Sequence, residues 1–320
     1  MRSSRLPAVR PPLPAATSNR PVVAFSCNLC GAWNEVEQFA TEPATCACGS
    51  NVRLRALIHL LSLELFGRSL PLPAFPRLKS VRGLGMSDKQ CCAERLADKF
   101  DYTNTWYDRE PRFDSSNPDP ALWGQYDFIL SADVLEHVGP PVEATLTQLC
   151  RMLKPRGFLG VTVFCAPSDT LREHFPDLQD YRIVPLGESQ VLINRRADGT
   201  LEIRDDLIFH GGSGSTLEMR EFGATSLREK LTGAGFREVE FLVENLAGIG
   251  VFFDHDVSQP LIARKERFAM ETRAIAEFTD AYLAEQQAVR KLNQLGEQLR
   301  LAGQSRWLKL GRRLGIGPKL

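Results

Sequence analysis

No apolar run in this chain approaches the ~20 residues that cross a bilayer, so no transmembrane helix is expected. No apolar signal core precedes the first cysteines either, which makes a reducing cytoplasm the expected setting. A dominant charge sign is missing as well. Lys plus Arg and Asp plus Glu number 39 each, which argues against a surface given over to nucleic acid or an anionic membrane. Cysteine is sparse, and eight in 320 residues do not make a disulfide scaffold. No internal repeat is visible. A hydrophobic fraction of 43% at this length suffices to bury a core without such staples.

Two local absences divide the charge. Residues 1–26 hold Arg2, Arg5, Arg10 and Arg20 and no acid, and their prolines oppose a helix, so a disordered leader is expected there. Residues 298–320 hold six basic residues and no acid. The stretch between them, 27–297, therefore carries a net charge of −10.

Four of the cysteines cluster as Cys27-x2-Cys30 and Cys46-x-Cys48 within 27–56. In a reducing setting, two close pairs of thiols read as metal ligands, and four thiolates fit tetrahedral Zn2+ in a structural role. Free thiols in a small knuckle are the alternative. Leu54–Phe66 is apolar at helical spacing and should end at Gly67; helix and Pro-rich linker together take 57–77.

From Leu78 strand-like and helix-like segments alternate: Leu78–Gly85, Met86–Lys99, Tyr102–Tyr107, Tyr126–Ser131, Val142–Leu153 and Phe158–Phe164. That alternation predicts an α/β fold, an open parallel sheet with helices on both faces. Asp198-Gly199 between apolar runs predicts a hairpin inserted at 187–212. Thr225–Ala234 should be helical, Val239–Val243 and Gly250–Phe253 the two last strands, and 256–320 a helical tail with a basic end.

Three motifs bear on chemistry. Gly83-Leu84-Gly85 between a strand and a helix lets the backbone turn tightly beside a ligand, although a structural turn reads the same way. Asp127-Phe-Ile-Leu-Ser-Ala-Asp133-Val-Leu-Glu136-His137-Val delivers polar residues at a strand's carboxyl end, where open α/β sheets bind ligands. A helix and Leu153-Lys-Pro-Arg-Gly-Phe-Leu-Gly-Val-Thr-Val follow it.

The order and spacing of these motifs resemble the class I S-adenosylmethionine-dependent methyltransferases, over roughly 78–255. The resemblance implies a Rossmann-like, seven-stranded, mostly parallel sheet whose last strand is reversed, and S-adenosyl-L-methionine as cofactor. It assigns Gly83 and Gly85 to the loop beside the methionine part. It assigns Asp114 to the adenine amine, Asp133 and Glu136 to the cleft at the methyl group, and Asp108 (or Glu110) to the ribose hydroxyls. Arg82 replaces the acid usually found before the first glycine. His137 and His210 are the candidate catalytic bases, with His174 third, since an imidazole titrates near neutrality. Each has a packing role as its alternative. The Cys-rich module and Arg53-Leu-Arg55 resemble zinc-ribbon-like heads on some bacterial methyltransferases. Ser305-Arg-Trp307-Leu-Lys-Leu-Gly-Arg312-Arg313-Leu-Gly resembles short basic-aromatic ends of bacterial glycan-assembly enzymes; contact with an anionic membrane surface through Trp307 is one expectation, a solvated helix end or oligomer contact the other.

The function these readings imply is methyl transfer to oxygen or nitrogen of a small-molecule or glycan acceptor. The alternatives are an RNA methyltransferase using its cysteine head, or a silent scaffold. The head is not basic, with Glu35, Glu37 and Glu42 against Arg53 and Arg55, so nucleic acid is disfavoured.

Overall fold

A computed structural model of the chain describes residues 22–37, 46–166, 169–187, 189–210, 216–253, 258–304 and 310. The leader at 1–21 and the basic end beyond Gln304, apart from residue 310, lie outside the described residues.

In chain order the elements are β1 (Val22–Ser26), β2 (Trp33–Glu37), α1 (Val52–Phe66), β3 (Leu78–Met86), α2 (Gln90–Lys99), β4 (Phe100–Thr105), β5 (Tyr126–Ala132), α3 (Val142–Met152) and β6 (Leu153–Val163). Short strands follow: β7 (Arg172–Glu173), β8 (Asp180–Leu186), β9 (Ser189–Arg195), β10 (Leu201–Arg204), β11 (Phe209–His210), β12 (Thr216–Leu217) and β13 (Arg220–Glu221). The chain then returns through α4 (Ala224–Gly233), β14 (Glu238–Phe241) and β15 (Gln259–Arg264) to α5 (Thr272–Gln304).

The main sheet has the order β14-β15-β6-β5-β3-β4. Strands β4, β3, β5 and β6 are parallel neighbours, and β15 runs against both β6 and β14. Side chains alternate between its faces, as a two-residue period requires. Phe128, Leu130, Phe158 and Ile262 join one core with α1, whereas Ile129, Leu159, Leu261 and Ala263 join another with α3 and α4. Helices on both faces are thereby borne out.

Three expectations change. The sheet has six strands among the described residues, not seven. Between Thr105 and Tyr126 the chain makes only a single bridge, Trp106 to Arg112, in a stretch where Pro111, Pro118 and Pro120 withhold ladder donors. The reversed strand is Gln259–Arg264 rather than Gly250–Phe253, so the sheet runs past 255 into the stretch read as tail. Gly250 sits at φ 68 and ends a short 3-10 turn instead. Third, Val22–Ser26, read as the end of the leader, pairs as β1 with β2.

The inserted hairpin is present. Strands β9 and β10 pair around Gly199 (φ 85), where Asp198 accepts from the Thr200 amide at 2.8 Å. Strand β8 extends this sheet backwards to Asp180. Helix α1 ends as expected at Gly67, which is left-handed (φ 67) and donates to Leu63 O. It is apolar nearly all round, and eleven of its fifteen residues are buried, which marks a core helix rather than a surface one. No helix among the described residues is long and apolar enough to cross a membrane.

Candidate functional site

The carboxyl ends of β3 and β5 lie side by side, with Gly85 opposite Leu130 and Met86 opposite Ser131. The glycines of β3 serve close packing. A Cβ on Gly83 would collide with the rings of Phe128 and Tyr102, and one on Gly85 with the Tyr102 hydroxyl and the Asp88 carboxylate. The room that Gly85 leaves is thus filled by the chain's own side chains. The next turn is locked: the Asn104 carboxamide accepts from the Asp88 amide (3.0 Å) and donates to the Asp88 carbonyl (2.9 Å). Burial raises the Asp88 carboxyl to about 7, against a hydrogen bond from Tyr102 that pulls it down. Helix α2 begins here with no side chain capping it.

Beyond β4, Asp108 is exposed, and Asp114 is engaged in a turn, accepting from the Ser116 amide at 2.9 Å and hydroxyl at 2.6 Å.

The end of β5 is richer. Asp133 takes a left-handed φ of 52, a strained conformation for a residue with a side chain. Its amide donates to Thr162 O (2.8 Å), and its carboxylate accepts from the Thr162 hydroxyl (3.1 Å) and from the guanidinium of Arg53. Glu136 is 2% exposed, and its Oε2 has no partner among the described residues. Burial first, then the charge of Asp133, raises its carboxyl to about 8, so it holds its proton at neutral pH. Burial and then the Glu136 charge push the nearby Cys165 thiol up to about 12.

A second layer fixes this turn. Arg220, wholly buried, donates to the carbonyls of Leu135 (2.8 Å) and Val138 (2.7 Å) and to Glu173 (2.8 Å). Met219 donates to the Glu136 carbonyl at 2.8 Å. The ring of His137 meets Leu217 O through Nδ1 at 2.9 Å, and His174 pairs with Glu218 through Nε2, also at 2.9 Å. A cavity of about 500 Å³ opens beside them, between Arg172, Glu173, His174, Arg204, Asp206, Leu207 and Ile208. His210 lies on β11, its backbone paired with Thr216; its side chain is outside the described residues.

The four cysteines converge. The sulfurs of Cys27 and Cys48 are 3.8 Å apart, those of Cys30 and Cys46 3.5 Å, and all four lie within 4.8 Å of one another. Zinc bonds of about 2.3 Å in a tetrahedron place sulfurs about 3.8 Å apart, so the donor set fits Zn2+. The cluster is no separate module. Phe25, Cys27, Leu29 and Cys46 belong to the same core as α1, Phe128 and Phe158.

Sequence reasoning assigned no role in the cleft to Arg53, Glu218 or Arg220. Arg53 sits 80 residues before its partner, and only a buried unpaired acid in a cleft calls for such a cation. Glu218 lies in the connection between β12 and β13 and Arg220 at the start of β13; both are buried, and no local sequence pattern marks them.

Residues 84–240 match the family described as methyltransferase domain. No curated protein matches the chain. Solved structures that it resembles include a Burkholderia thailandensis 1,6-didemethyltoxoflavin-N1-methyltransferase with bound S-adenosylhomocysteine (17% identity, 67% of this chain, 78% of that one, TM-score 0.37). Others are an amino pentose methyltransferase from Micromonospora echinaspora (14%, 68%, 92%, 0.37) and a sugar N-methyltransferase from Streptoalloteichus (13%, 67%, 87%, 0.38).

Proposed function

We propose that the chain is a class I S-adenosylmethionine-dependent methyltransferase, a reading supported by the match of residues 84–240 to the methyltransferase domain family, and that the cleft at the ends of β3 and β5 methylates oxygen or nitrogen of a small-molecule or glycan acceptor. The observation that carries the assignment of the cleft is Glu136. A buried carboxyl with an unpartnered oxygen, beside a second carboxyl, suits a positively charged ligand. S-adenosylmethionine supplies an activated methyl on a cationic sulfonium. Asp133 and Glu136 would hold it on one side and the carboxyl end of β3, with Gly83 and Gly85, on the other, with Asp108 and Asp114 as the ribose and adenine contacts.

Proton removal from the acceptor falls to His137, whose ring is anchored on Leu217 O, with His210 on β11 as second base. His174 on Glu218 is oriented as a base is by a carboxylate, and it borders the cavity beside the cleft. That cavity combines arginine and acid side chains with Leu207 and Ile208, a lining suited to a neutral polyhydroxylated acceptor. The cysteine cluster is assigned to structural Zn2+.

The test is calorimetric titration with S-adenosylmethionine and with S-adenosylhomocysteine, followed by mass spectrometry of cell extract incubated with isotopically labelled cofactor. Binding of the sulfonium should strengthen as pH rises through about 8 and Glu136 ionises, whereas the uncharged thioether should not follow. Absence of any binding heat by a folded protein would leave the scaffold reading standing.

A further inference from the structure

The cysteine cluster and the cleft are joined by a short chain of contacts. Cys27 Sγ lies 3.1 Å from the Ser50 hydroxyl. Ser50 is held in turn by Arg55, which donates to its carbonyl and its hydroxyl at 3.2 Å each. Arg55 is fully buried, rests over the Phe25 ring and donates to Gly250 O at 2.7 Å. Asn51 follows directly and caps α1, its side chain accepting from the Leu54 amide at 3.0 Å. Two residues into that helix stands Arg53, paired with Asp133 across the cleft. The direction of the first turn of α1 therefore depends on the segment Cys46–Ser50, and the position of Arg53 depends on that turn.

Arg53 is also the counter-charge for a crowded acid site. It favours the ionised form of both Asp133 and Glu136, against burial and their mutual repulsion. A shift of the guanidinium by an ångström would leave Asp133 strained, half-buried and short of its cation.

We infer that Arg53 is a positioning residue that couples the cysteine cluster to the cofactor cleft: the bound metal sets the first turn of α1, and Arg53 transmits that geometry to Asp133. This rests on the reading of Asp133 as a cofactor contact.

A double-mutant cycle on cofactor affinity tests it, with S-adenosylmethionine as the calorimetric probe and thermal melting as the check on folding. Arg53→Ala should weaken binding about tenfold, and Arg53→Lys should recover part of it. Cys30→Ser, or chelation of the metal, should also weaken it about tenfold, and the milder Ser50→Ala about threefold. In the Arg53→Ala background neither Cys30→Ser nor Ser50→Ala should weaken binding further, because the link is already cut. Additive losses would overturn the inference, as would unchanged affinity in Arg53→Ala. Should Cys30→Ser not fold, the Ser50→Ala arm decides alone. A folded wild-type protein that binds no cofactor would fail the cleft reading itself, and this inference with it.

Discussion

Helices α1 and α5 flank the same sheet, and both hold several leucines, yet α1 is buried in the core and most of α5 stands in solvent. The first joins Phe25 and the cysteine cluster in the packing around Phe128 and Phe158. The second is a helix of 33 residues, about 50 Å long. It touches the sheet only near its start, where Ala274 is buried, Phe278 stacks on Phe66, and Glu277 accepts from the Ser80 amide and hydroxyl. From Tyr282 to Gln304 nearly every residue is exposed. An apolar composition therefore does not decide burial here. Helix α1 carries leucine, isoleucine and alanine around most of its surface, with its few polar side chains paired inside the fold, whereas α5 alternates apolar with charged residues and tolerates water.

The comparison can be broken most forcefully at Phe25. Its ring packs under Arg55 and against the Gly250 turn, where a Cβ would come within 2.6 Å of it. Phe25→Ala should cost about 3–5 kcal/mol in denaturant unfolding. A loss under about 1 kcal/mol would mean that the head is an appendage after all. Gly250→Ala attacks the same contact from the other side. It adds a left-handed backbone to the collision with Phe25, so a cost of about 2 kcal/mol is expected in the same measurement.

Much of this was legible in the sequence, and the failures have physical causes. Helix α1 was read to within two residues, because Gly67 marks its end and the apolar spacing is local. The β9–β10 turn was likewise announced by Asp198-Gly199. The last strand was misplaced because Val251-Phe-Phe253 looks more strand-like than Pro260-Leu-Ile-Ala263. Only the pairing of Leu261 with Val161 and of Ile262 with Gly160 selects the second run, and that pairing spans about a hundred residues. At the site, Asp133, Glu136 and His137 could be picked out because they follow a buried strand. Arg53 could not, because the need for it arises from a desolvated carboxylate 80 residues away.

The cleft offers a subtler contrast, between groups that hold a proton and groups that do not. Glu136 is raised to about 8 and Asp88 to about 7, each first by burial. An acid whose folded value is raised contributes stability that is fully present below its unfolded value and is lost as pH rises through the folded one. The melting temperature should therefore fall as pH rises from about 4.5 to about 8 and level off above that. Glu136→Gln, which cannot ionise, should flatten that fall, and Asp88→Asn should flatten its earlier part. An unchanged slope in Glu136→Gln would show that its carboxyl is not the group that resists ionisation.

The smallest effect is expected at the far end of α5. Leu292 is 67% exposed and Leu299 61%, so neither has contacts to lose. Leu292→Ser and Leu299→Ser should each change unfolding free energy by no more than about 0.5 kcal/mol. The small change that does occur should come from helix propensity, because Ser ranks below Leu. The same substitution at Leu57 of α1, wholly buried and close against Gly160, should cost several times more. If the two helices responded alike, exposure would have been the wrong ground for separating them. A concentration-dependent loss at Leu292 would place α5 in an interface between chains, because only a partner could make so exposed a leucine costly to remove.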